Sequence, residues 1–155
     1  MLYRNRKPDD PNEGKWLGIG GRIEPGETPD ECNAREVLEE TGLKLRTAHF
    51  LGVIRFRADM YEDEDMYLYV SDDFEPEDSV LRAEYLRNGR YDPPECDEGE
   101  LRWIPADELM SLPMWEGDRF FLKALLEGRD NIEMTLIYKG TGSEEHLQEV
   151  IDKNE

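Results

Sequence analysis

The pattern of apolar and polar residues predicts strands at several places along the chain. The longest, residues 43–57, contains a run of bulky apolar residues, and residues 131–138 alternate between apolar and polar positions. An acidic turn at 59–65 separates the long strand from a partner at 66–70. Further strands are predicted at 16–19 and 96–104, and residues 1–4 have the pattern of the end of a strand.

A helix is predicted between Thr28 and Gly42, with clear signals at both ends. Thr28 suits the N-cap, Pro29 suits the first helical position, and Glu31 completes a capping box. Gly42 supplies the left-handed residue that often ends a helix. The apolar face, which we expect to pack on a core, consists of Ala34, Val37, Leu38 and Thr41.

Shorter helical patterns follow in the second half of the chain. Residues 119–126 are amphipathic, and residues 80–87 and 105–109 predict short helices. Because these helices alternate with the predicted strands, the pattern indicates an α/β fold.

Two further stretches carry weaker patterns. Residues 72–100 contain chain breaks at Asn88-Gly89 and Pro93-Pro94, and we expect a loop insertion over the functional site. Long loops of this kind often act as lids. Residues 139–155 are predicted to form a polar tail with a short helix at 144–151.

The composition indicates one acidic domain spanning residues 1–155. The chain carries 38 acidic and 19 basic side chains, which gives a net charge of −19. This excess argues against nucleic acid or an anionic membrane as the main partner. Two cysteines without metal-type spacing predict reduced thiols, and no signal peptide or long apolar run is visible, so we expect a cytoplasmic protein.

Three glutamates lie together on the polar face of the first predicted helix. Glu36, Glu39 and Glu40 occupy its last two turns, where they repel one another and face the negative end of the helix dipole. Arg35 can reach Glu39, whereas Glu36 and Glu40 have no basic residue one turn away within the helix. Such a cluster suits a hard cation such as Mg²⁺ or Mn²⁺, although a solvated acidic surface explains the helix alone equally well. The preceding Gly20-Gly21 favours a ligand site, because glycine lets the backbone approach a ligand closely.

The same region matches a known family motif at nine fixed positions. The chain therefore resembles the Nudix family, whose motif is G-x5-E-x7-R-E-U-x-E-E-x-G-U with U aliphatic. The resemblance implies an α/β/α sandwich with a mixed sheet and a catalytic loop-helix-loop. It also implies a further strand before Met1, which this sequence lacks. The matching residues are Gly21, Glu27, Arg35, Glu36, Val37, Glu39, Glu40, Gly42 and Leu43.

The resemblance also assigns roles to single residues. It implies a salt bridge between Glu27 and Arg35 that orients the helix, with Gly42 as its structural end. An acid before the strand at 96–104 would be a further metal ligand or general base, and Glu98 is preferred over Glu100. Either Glu39 or Glu98 is then the catalytic base. The implied metal ligands are the Gly21 carbonyl, Glu36, Glu39, Glu40 and Glu98.

Residues near 115 resemble the base-binding segment of Nudix enzymes that hydrolyse oxidised purine triphosphates. By this resemblance Trp115 stacks on the purine, and Asp118, with Glu116, binds its Watson–Crick edge. The alternative is that Trp115 packs its helix onto the core. Two positions depart from the mammalian pattern, because Gly117 replaces a second acid and Leu17 replaces an asparagine.

The resemblance predicts Mg²⁺-dependent hydrolysis of a purine nucleoside triphosphate, such as 8-oxo-dGTP, to a monophosphate and pyrophosphate. This activity would clean the nucleotide pool, in a monomer or homodimer. One alternative is hydrolysis of another nucleoside diphosphate derivative: ADP-ribose, a nucleotide sugar or a dinucleotide. Another alternative is a non-catalytic nucleotide-binding module, which the intact motif disfavours.

Overall fold

The computed structural model describes residues 1–154, which form two compact units. Unit 1 comprises Met1–Ala48 and Ser71–Pro113, and unit 2 comprises His49–Val70 and the chain from Met114 onward. The strands are β1 (Leu2–Arg4), β2 (Trp16–Leu17), β3 (Leu43–Ala58), β4 (Glu64–Pro76), β5 (Gly99–Leu101), β6 (Met134–Lys139) and β7 (His146–Asp152). The helices are α1 (Pro29–Thr41), α2 (Ser79–Asn88) and α3 (Asp118–Leu126), with 3-10 turns at Leu109–Ser111 and Gly142–Glu144.

Unit 1 contains a small antiparallel sheet with the strand order β2-β1-β5. Leu2 lies opposite both Leu17 and Leu101 in this sheet and is almost fully buried. The predicted strand at 96–104 is therefore shorter in the structure, where β5 contains only residues 99–101.

Helix α1 begins and ends as the sequence predicts. The Thr28 and Glu31 side chains form the reciprocal capping box, and Gly42 has the left-handed conformation with φ of 72°. The predicted apolar face is wrong at Ala34, which is exposed, whereas Cys32 is buried. The capping signals are local in sequence, while the buried face depends on what the rest of unit 1 places against the helix.

The prediction of a loop insertion over residues 72–100 is wrong for most of its length. Strand β4 continues to Pro76, and α2 follows with Asp78 as its N-cap, accepting hydrogen bonds from the Val80 and Leu81 amides. The segment is anchored on the end of α1, because the Tyr91 hydroxyl donates to the Thr41 carbonyl (2.5 Å). A regular and anchored segment of this kind does not have the character of a mobile lid.

The second sheet is four-stranded and mixed, with the strand order β4-β3-β6-β7. Strands β6 and β7 belong to unit 2, whereas β3 and β4 each have residues in both units. Strands β3 and β6 are parallel, with Ile54 opposite Met134, and β6 and β7 are antiparallel. Helix α3 packs on this sheet through Phe121 and Ala124, in the one core cluster that the described residues form. The other members of this cluster are Leu51, Ile54, Ile132, Met134, Leu136 and Tyr138.

The predicted short helix at 144–151 is wrong, because these residues form most of β7. Tyr138 pairs with Leu147 and Ile137 pairs with Glu149, so Gln148 is an extra residue in β7. This β-bulge lets Leu147 and Val150, three positions apart, both pack against the core. The three-residue spacing of Leu147 and Val150 is also typical of one face of a helix, which explains the wrong prediction. The backbone of this segment instead pairs with β6 and forms a strand. Among residues 1–154, no helix is long and apolar enough to span a membrane.

Candidate functional site

The loop before α1 is closed by its own backbone. Gly26 adopts a left-handed conformation with φ of 80°, and the Glu27 amide donates to the Glu24 carbonyl at 3.0 Å. In return, the Glu24 amide donates to the Glu27 carboxylate at 3.1 Å. The turn therefore fixes Glu27 beside the first turns of the helix, as Pro25-Gly26 leads one to expect.

Arg35 connects this loop to the acidic face of α1. Its Nε and Nη2 donate to the two oxygens of Glu27 at 2.7 and 3.0 Å, which is a bidentate ion pair. Its Nη1 donates to Glu36 at 2.8 Å and to Glu39 at 3.2 Å. The hydrogen bonds from Arg35 hold the pKa of Glu27 at about 2 and raise the pKa of Arg35 above its ordinary value.

Gly21 lies against the carboxyl group of Glu36. A Cβ added at Gly21 would overlap that carboxyl group, so any larger residue at this position would displace the Glu36 carboxyl group. The Gly21 carbonyl accepts a hydrogen bond from the Cys32 thiol at 3.7 Å. A backbone segment and a carboxylate, both predicted to bind metal, are thus in direct contact.

Glu40 lies close to two other carboxylates. It is half-buried and accepts a hydrogen bond from the Gly20 amide at 3.3 Å. Its pKa is raised to about 7, first by burial and then by the negative charges of Glu36 and Glu98. The structure therefore brings together acids from α1 and from the loop before β5, which lie far apart in sequence.

The two remaining predicted carboxylate ligands, Glu98 and Glu39, are paired with basic side chains. Glu98 accepts from Arg4 at 3.0 Å and from Lys7 at 3.3 Å. Glu39 is the most exposed of the predicted ligands on α1, with 59% of its side chain accessible, and it contacts Arg35. Arg4 also binds Asp10, so its charge serves an ion-pair network in unit 1.

These donors fit a hard divalent cation. They are carboxylate and carbonyl oxygens, the ligands that Mg²⁺ and Mn²⁺ prefer, and burial together with nearby negative charge raises the pKa of one of them, Glu40. Within residues 1–154, however, no three acidic, histidine or cysteine side chains already converge as a metal site. Arginine and lysine side chains are the present partners of Glu36, Glu39 and Glu98.

The residues predicted to bind a base lie in unit 2. Trp115 is partly buried against the core cluster, with Tyr138 edge-on at 5.7 Å and Tyr61 edge-on at 6.4 Å between ring centroids. Glu116 is exposed, and Asp118 is the first residue of α3 and is only 8% exposed. Trp115 thus does contact the core, as the alternative interpretation requires, while keeping part of its surface accessible.

Burial dominates the electrostatics around Asp118. Desolvation raises the pKa of Asp118 to about 7, so its proton is half retained near neutral pH. Burial also raises the pKa of Tyr138 to about 12, with further contributions from the charges of Asp118, Glu116 and Glu145. The Tyr138 hydroxyl accepts a hydrogen bond from the Gly117 amide at 2.8 Å.

Two of these residues were not predicted from the sequence. Tyr138 and Glu145 contact or perturb predicted site residues, yet neither belongs to the motif or to the base-binding segment. Alternation in β6 places Tyr138 on the same strand face as Met134 and Leu136, which is the signal that could have found it. Glu145 has no such signal.

Comparison with known proteins gives consistent relationships. A family profile described as NUDIX domain matches residues 1–125. A Danio rerio protein named oxidized purine nucleoside triphosphate hydrolase is 32% identical over 116 residues, covering 74% of this chain and 64% of that protein. A Mus musculus protein of the same name is 28% identical, with the same coverage. This chain therefore spans slightly under two thirds of the length of these two relatives.

Two bacterial proteins extend the comparison. The uncharacterized Nudix hydrolase YvcI of Bacillus subtilis is 27% identical over 135 residues, covering 83% of this chain and 75% of that protein. The crystal structure of a MutT protein from Bacillus halodurans superposes with a TM-score of 0.73 and 24% identity, covering 97% of this chain and 88% of the other. This likeness confirms the predicted α/β fold with a mixed sheet.

Proposed function

Because the chain belongs to the Nudix family, whose relatives here are named hydrolases, we propose that it hydrolyses a purine nucleoside triphosphate to a monophosphate and pyrophosphate. The oxidised-purine relatives and the Trp115 segment support a substrate such as 8-oxo-dGTP. The proposal includes dependence on Mg²⁺ or Mn²⁺. It also includes a cytoplasmic location, which the free thiols of Cys32 and Cys96 support.

The observation that carries the proposal is the half-buried Glu40 carboxyl group, which accepts a hydrogen bond from the Gly20 amide of the glycine loop and is affected by the charges of Glu36 and Glu98. The burial of Glu40 and the nearby charges of Glu36 and Glu98 make its ionised form costly, and a bound cation would remove that cost. A purely structural acidic surface has no reason to bury one acid near two others.

The cation would be held by the Gly21 carbonyl together with Glu36, Glu39, Glu40 and Glu98. When bound, a divalent ion neutralises charge on the phosphate oxygens and lowers the pKa of a bound water. The chain's own contribution is orientation: Arg35 fixes Glu27 and the loop, and Gly21 gives the backbone access.

Proton removal from the attacking water is assigned to Glu39 or Glu98. Glu39 is exposed and contacts only Arg35 among described side chains, so it is free to turn toward a substrate. Glu98 would first have to leave Arg4 and Lys7. The geometry of the described residues therefore favours Glu39 as the base.

Base recognition is assigned to residues of unit 2. Trp115 would stack on the purine, and stacking of this kind contributes roughly 1–3 kcal/mol. Asp118 and Glu116 would bind the polar edge of the base. Since the pKa of Asp118 is raised to about 7, this residue can either accept or donate a hydrogen bond near neutral pH.

The test is a phosphate assay with added pyrophosphatase and Mg²⁺. The substrates are dGTP, 8-oxo-dGTP, ATP, ADP-ribose and a UDP-sugar. A signal that depends on pyrophosphatase and is strongest for 8-oxo-dGTP supports the proposal. Cleavage of only ADP-ribose or the UDP-sugar would replace it with hydrolysis of another nucleoside diphosphate derivative.

A variant pair tests the acidic cluster. We expect Glu40→Gln to lower kcat by roughly a hundredfold or more, because it removes an oxygen ligand and its charge. Glu84→Gln on the exposed surface of α2 is the matched control and should retain wild-type turnover. Unchanged turnover in Glu40→Gln would refute the metal-ligand role given to Glu40, whereas absence of turnover in the wild-type protein would favour a non-catalytic nucleotide-binding module.

A further inference from the structure

The end of α1 accepts a buried hydrogen bond from a tyrosine that lies 50 residues later in the chain. Tyr91 is only 7% exposed, and its hydroxyl donates to the carbonyl of Thr41, which is also buried, at 2.5 Å. Burial raises the pKa of the Tyr91 hydroxyl above its ordinary value, so this group stays protonated and acts as a donor. The last carbonyl groups of a helix have no partner within the helix, and Tyr91 satisfies one of them from outside.

Gly42 leaves the space that the tyrosine hydroxyl occupies. A Cβ at Gly42 would lie 2.6 Å from the hydroxyl oxygen of Tyr91, closer than a real Cβ atom comes to a neighbouring atom. The Gly42 carbonyl also accepts a hydrogen bond, at 3.0 Å, from the amide of Glu77, the residue that follows β4. Gly42 therefore does more than end the helix, because it lets two later parts of the chain bind the end of α1.

The segment that carries Glu98 is closed at its base by the same tyrosine. The Nε1–H group of Trp103 donates to the Tyr91 carbonyl at 2.7 Å, so the two ends of residues 91–103 are held together. Glu98 lies within this segment, immediately before β5, and its side chain accepts from Arg4 at 3.0 Å. The segment is thus fixed both at its base and at the carboxylate that it carries.

Tyr91 therefore joins two elements that carry predicted metal ligands. Glu39 and Glu40 immediately precede Thr41, whose carbonyl accepts the hydroxyl hydrogen bond. Glu98 belongs to the segment that begins at Tyr91. Ligands from separate elements hold an ion well only when the elements are fixed relative to one another, and residues behind the ligands supply this order.

We propose that Tyr91 is a positioning residue for the metal site, whose hydroxyl fixes the last turn of α1, with Glu39 and Glu40, against the segment that carries Glu98. The inference rests on the function proposed above and concerns a residue outside the family motif. The hydroxyl acts through the backbone of Thr41, and it contacts neither the ion nor the substrate.

The experiment measures Mn²⁺ binding in the absence of nucleotide, by electron paramagnetic resonance of the free ion. Tyr91→Phe keeps the buried ring and removes only the hydroxyl group. We expect the dissociation constant for Mn²⁺ to rise roughly tenfold, which is typical for loss of a group that orients metal ligands. The thermal unfolding temperature of each variant is measured in parallel.

Two control variants separate positioning from a general structural effect. Tyr85→Phe removes the same hydroxyl group from a ring of α2 that stacks on Phe74 in the same unit. Ile132→Val removes a methylene from the fully buried core of unit 2 and should lower the unfolding temperature. Both controls should bind Mn²⁺ as the wild-type protein does.

A double substitution tests the contact between Gly42 and Tyr91. Gly42→Ala should weaken Mn²⁺ binding, because its methyl group would displace the Tyr91 hydroxyl. Without that hydroxyl, the nearest ring atom is 3.9 Å from the added Cβ, which is an ordinary contact distance. Gly42→Ala should therefore weaken binding less in the Tyr91→Phe background than in the wild-type background. Equal losses in both backgrounds would overturn the coupling of these two residues.

The outcomes distinguish this inference from the proposed function. Wild-type affinity for Mn²⁺ in Tyr91→Phe would overturn the inference and leave the proposed function intact. Equal weakening in Ile132→Val would also overturn it, since reduced stability would then explain the loss. If the wild-type protein binds Mn²⁺ but cleaves no nucleoside triphosphate, the proposed function fails while the titration still tests Tyr91. If the wild-type protein binds no Mn²⁺, the inference and the proposed metal dependence fail together.

Discussion

The burial of Asp118 makes a quantitative prediction for pH-dependent stability. Its pKa rises from the ordinary value of 3.8 to about 7 because the carboxyl group is desolvated in the folded protein. At about 1.4 kcal/mol for each pH unit, ionising this group in the folded state costs about 4 kcal/mol.

The direction of the pH dependence follows from the same values. Between pH 3.8 and about 7 the folded state keeps the Asp118 proton while the unfolded state loses it. The contribution of this group to the free energy of unfolding therefore falls as pH rises through this window, and its full cost is present above pH 7. Asp118→Asn removes this titration, so its gain in the free energy of unfolding should be larger at pH 8 than at pH 5 by about 2.5 kcal/mol.

The assay is urea unfolding at pH 5 and pH 8, followed by circular dichroism so that loss of a base-binding group does not affect the signal. Asp130→Asn, at an exposed position in the same unit, is the matched control. It should change the free energy of unfolding by the same amount at both pH values. If Asp118→Asn increases the free energy of unfolding equally at both pH values, burial does not raise the pKa of Asp118 as described. A loss at pH 8 would show that the ionised carboxylate is stabilised in the fold.

Two further predictions concern the glycine loop and the aromatic platform. Gly21→Ala should lower kcat/KM by at least roughly tenfold, because the added methyl group would displace the Glu36 carboxyl group. Gly18 has open space around it, so Gly18→Ala should leave kcat/KM unchanged in the same steady-state assay. Trp115→Ala should raise KM for a purine triphosphate roughly tenfold and also lower the unfolding temperature, since Trp115 packs on the core. The exposed Trp103→Ala should leave KM unchanged, and an unchanged KM in Trp115→Ala would assign Trp115 to packing alone.

Local signals predicted the fold best where they act over a few residues. The ends of α1 follow from Thr28 and Gly42, which satisfy backbone groups within one turn. Strand β7 could not be predicted in this way, because its bulge at Gln148 exists only through pairing with β6. The short helix predicted at 80–87 is confirmed as α2, whose ends are set by Asp78 and Gly89, while the proline breaks nearby led to the wrong interpretation of the surrounding segment as a loop.

The residues of the candidate site likewise differ in how far the sequence could predict them. Glu36 and Glu40 belong to one helix, so their spacing alone suggested a shared face. The pairing of Glu98 with Arg4 joins residues 94 positions apart and is visible only in the folded chain. Glu145 has no sequence signal, because its effect on the pKa of Tyr138 exists only in the folded chain.

The extra residue in β7 also affects whether the protein can self-associate through the edge of its sheet. Strand β7 is an outer strand of the four-stranded sheet, and outer strands present unpaired amide and carbonyl groups that can recruit another chain. The bulge at Gln148 interrupts this row of groups, and the exposed Glu149 beside it adds repulsion between like surfaces. The same irregularity that turns Leu147 and Val150 inward thus protects the sheet from edge-to-edge aggregation.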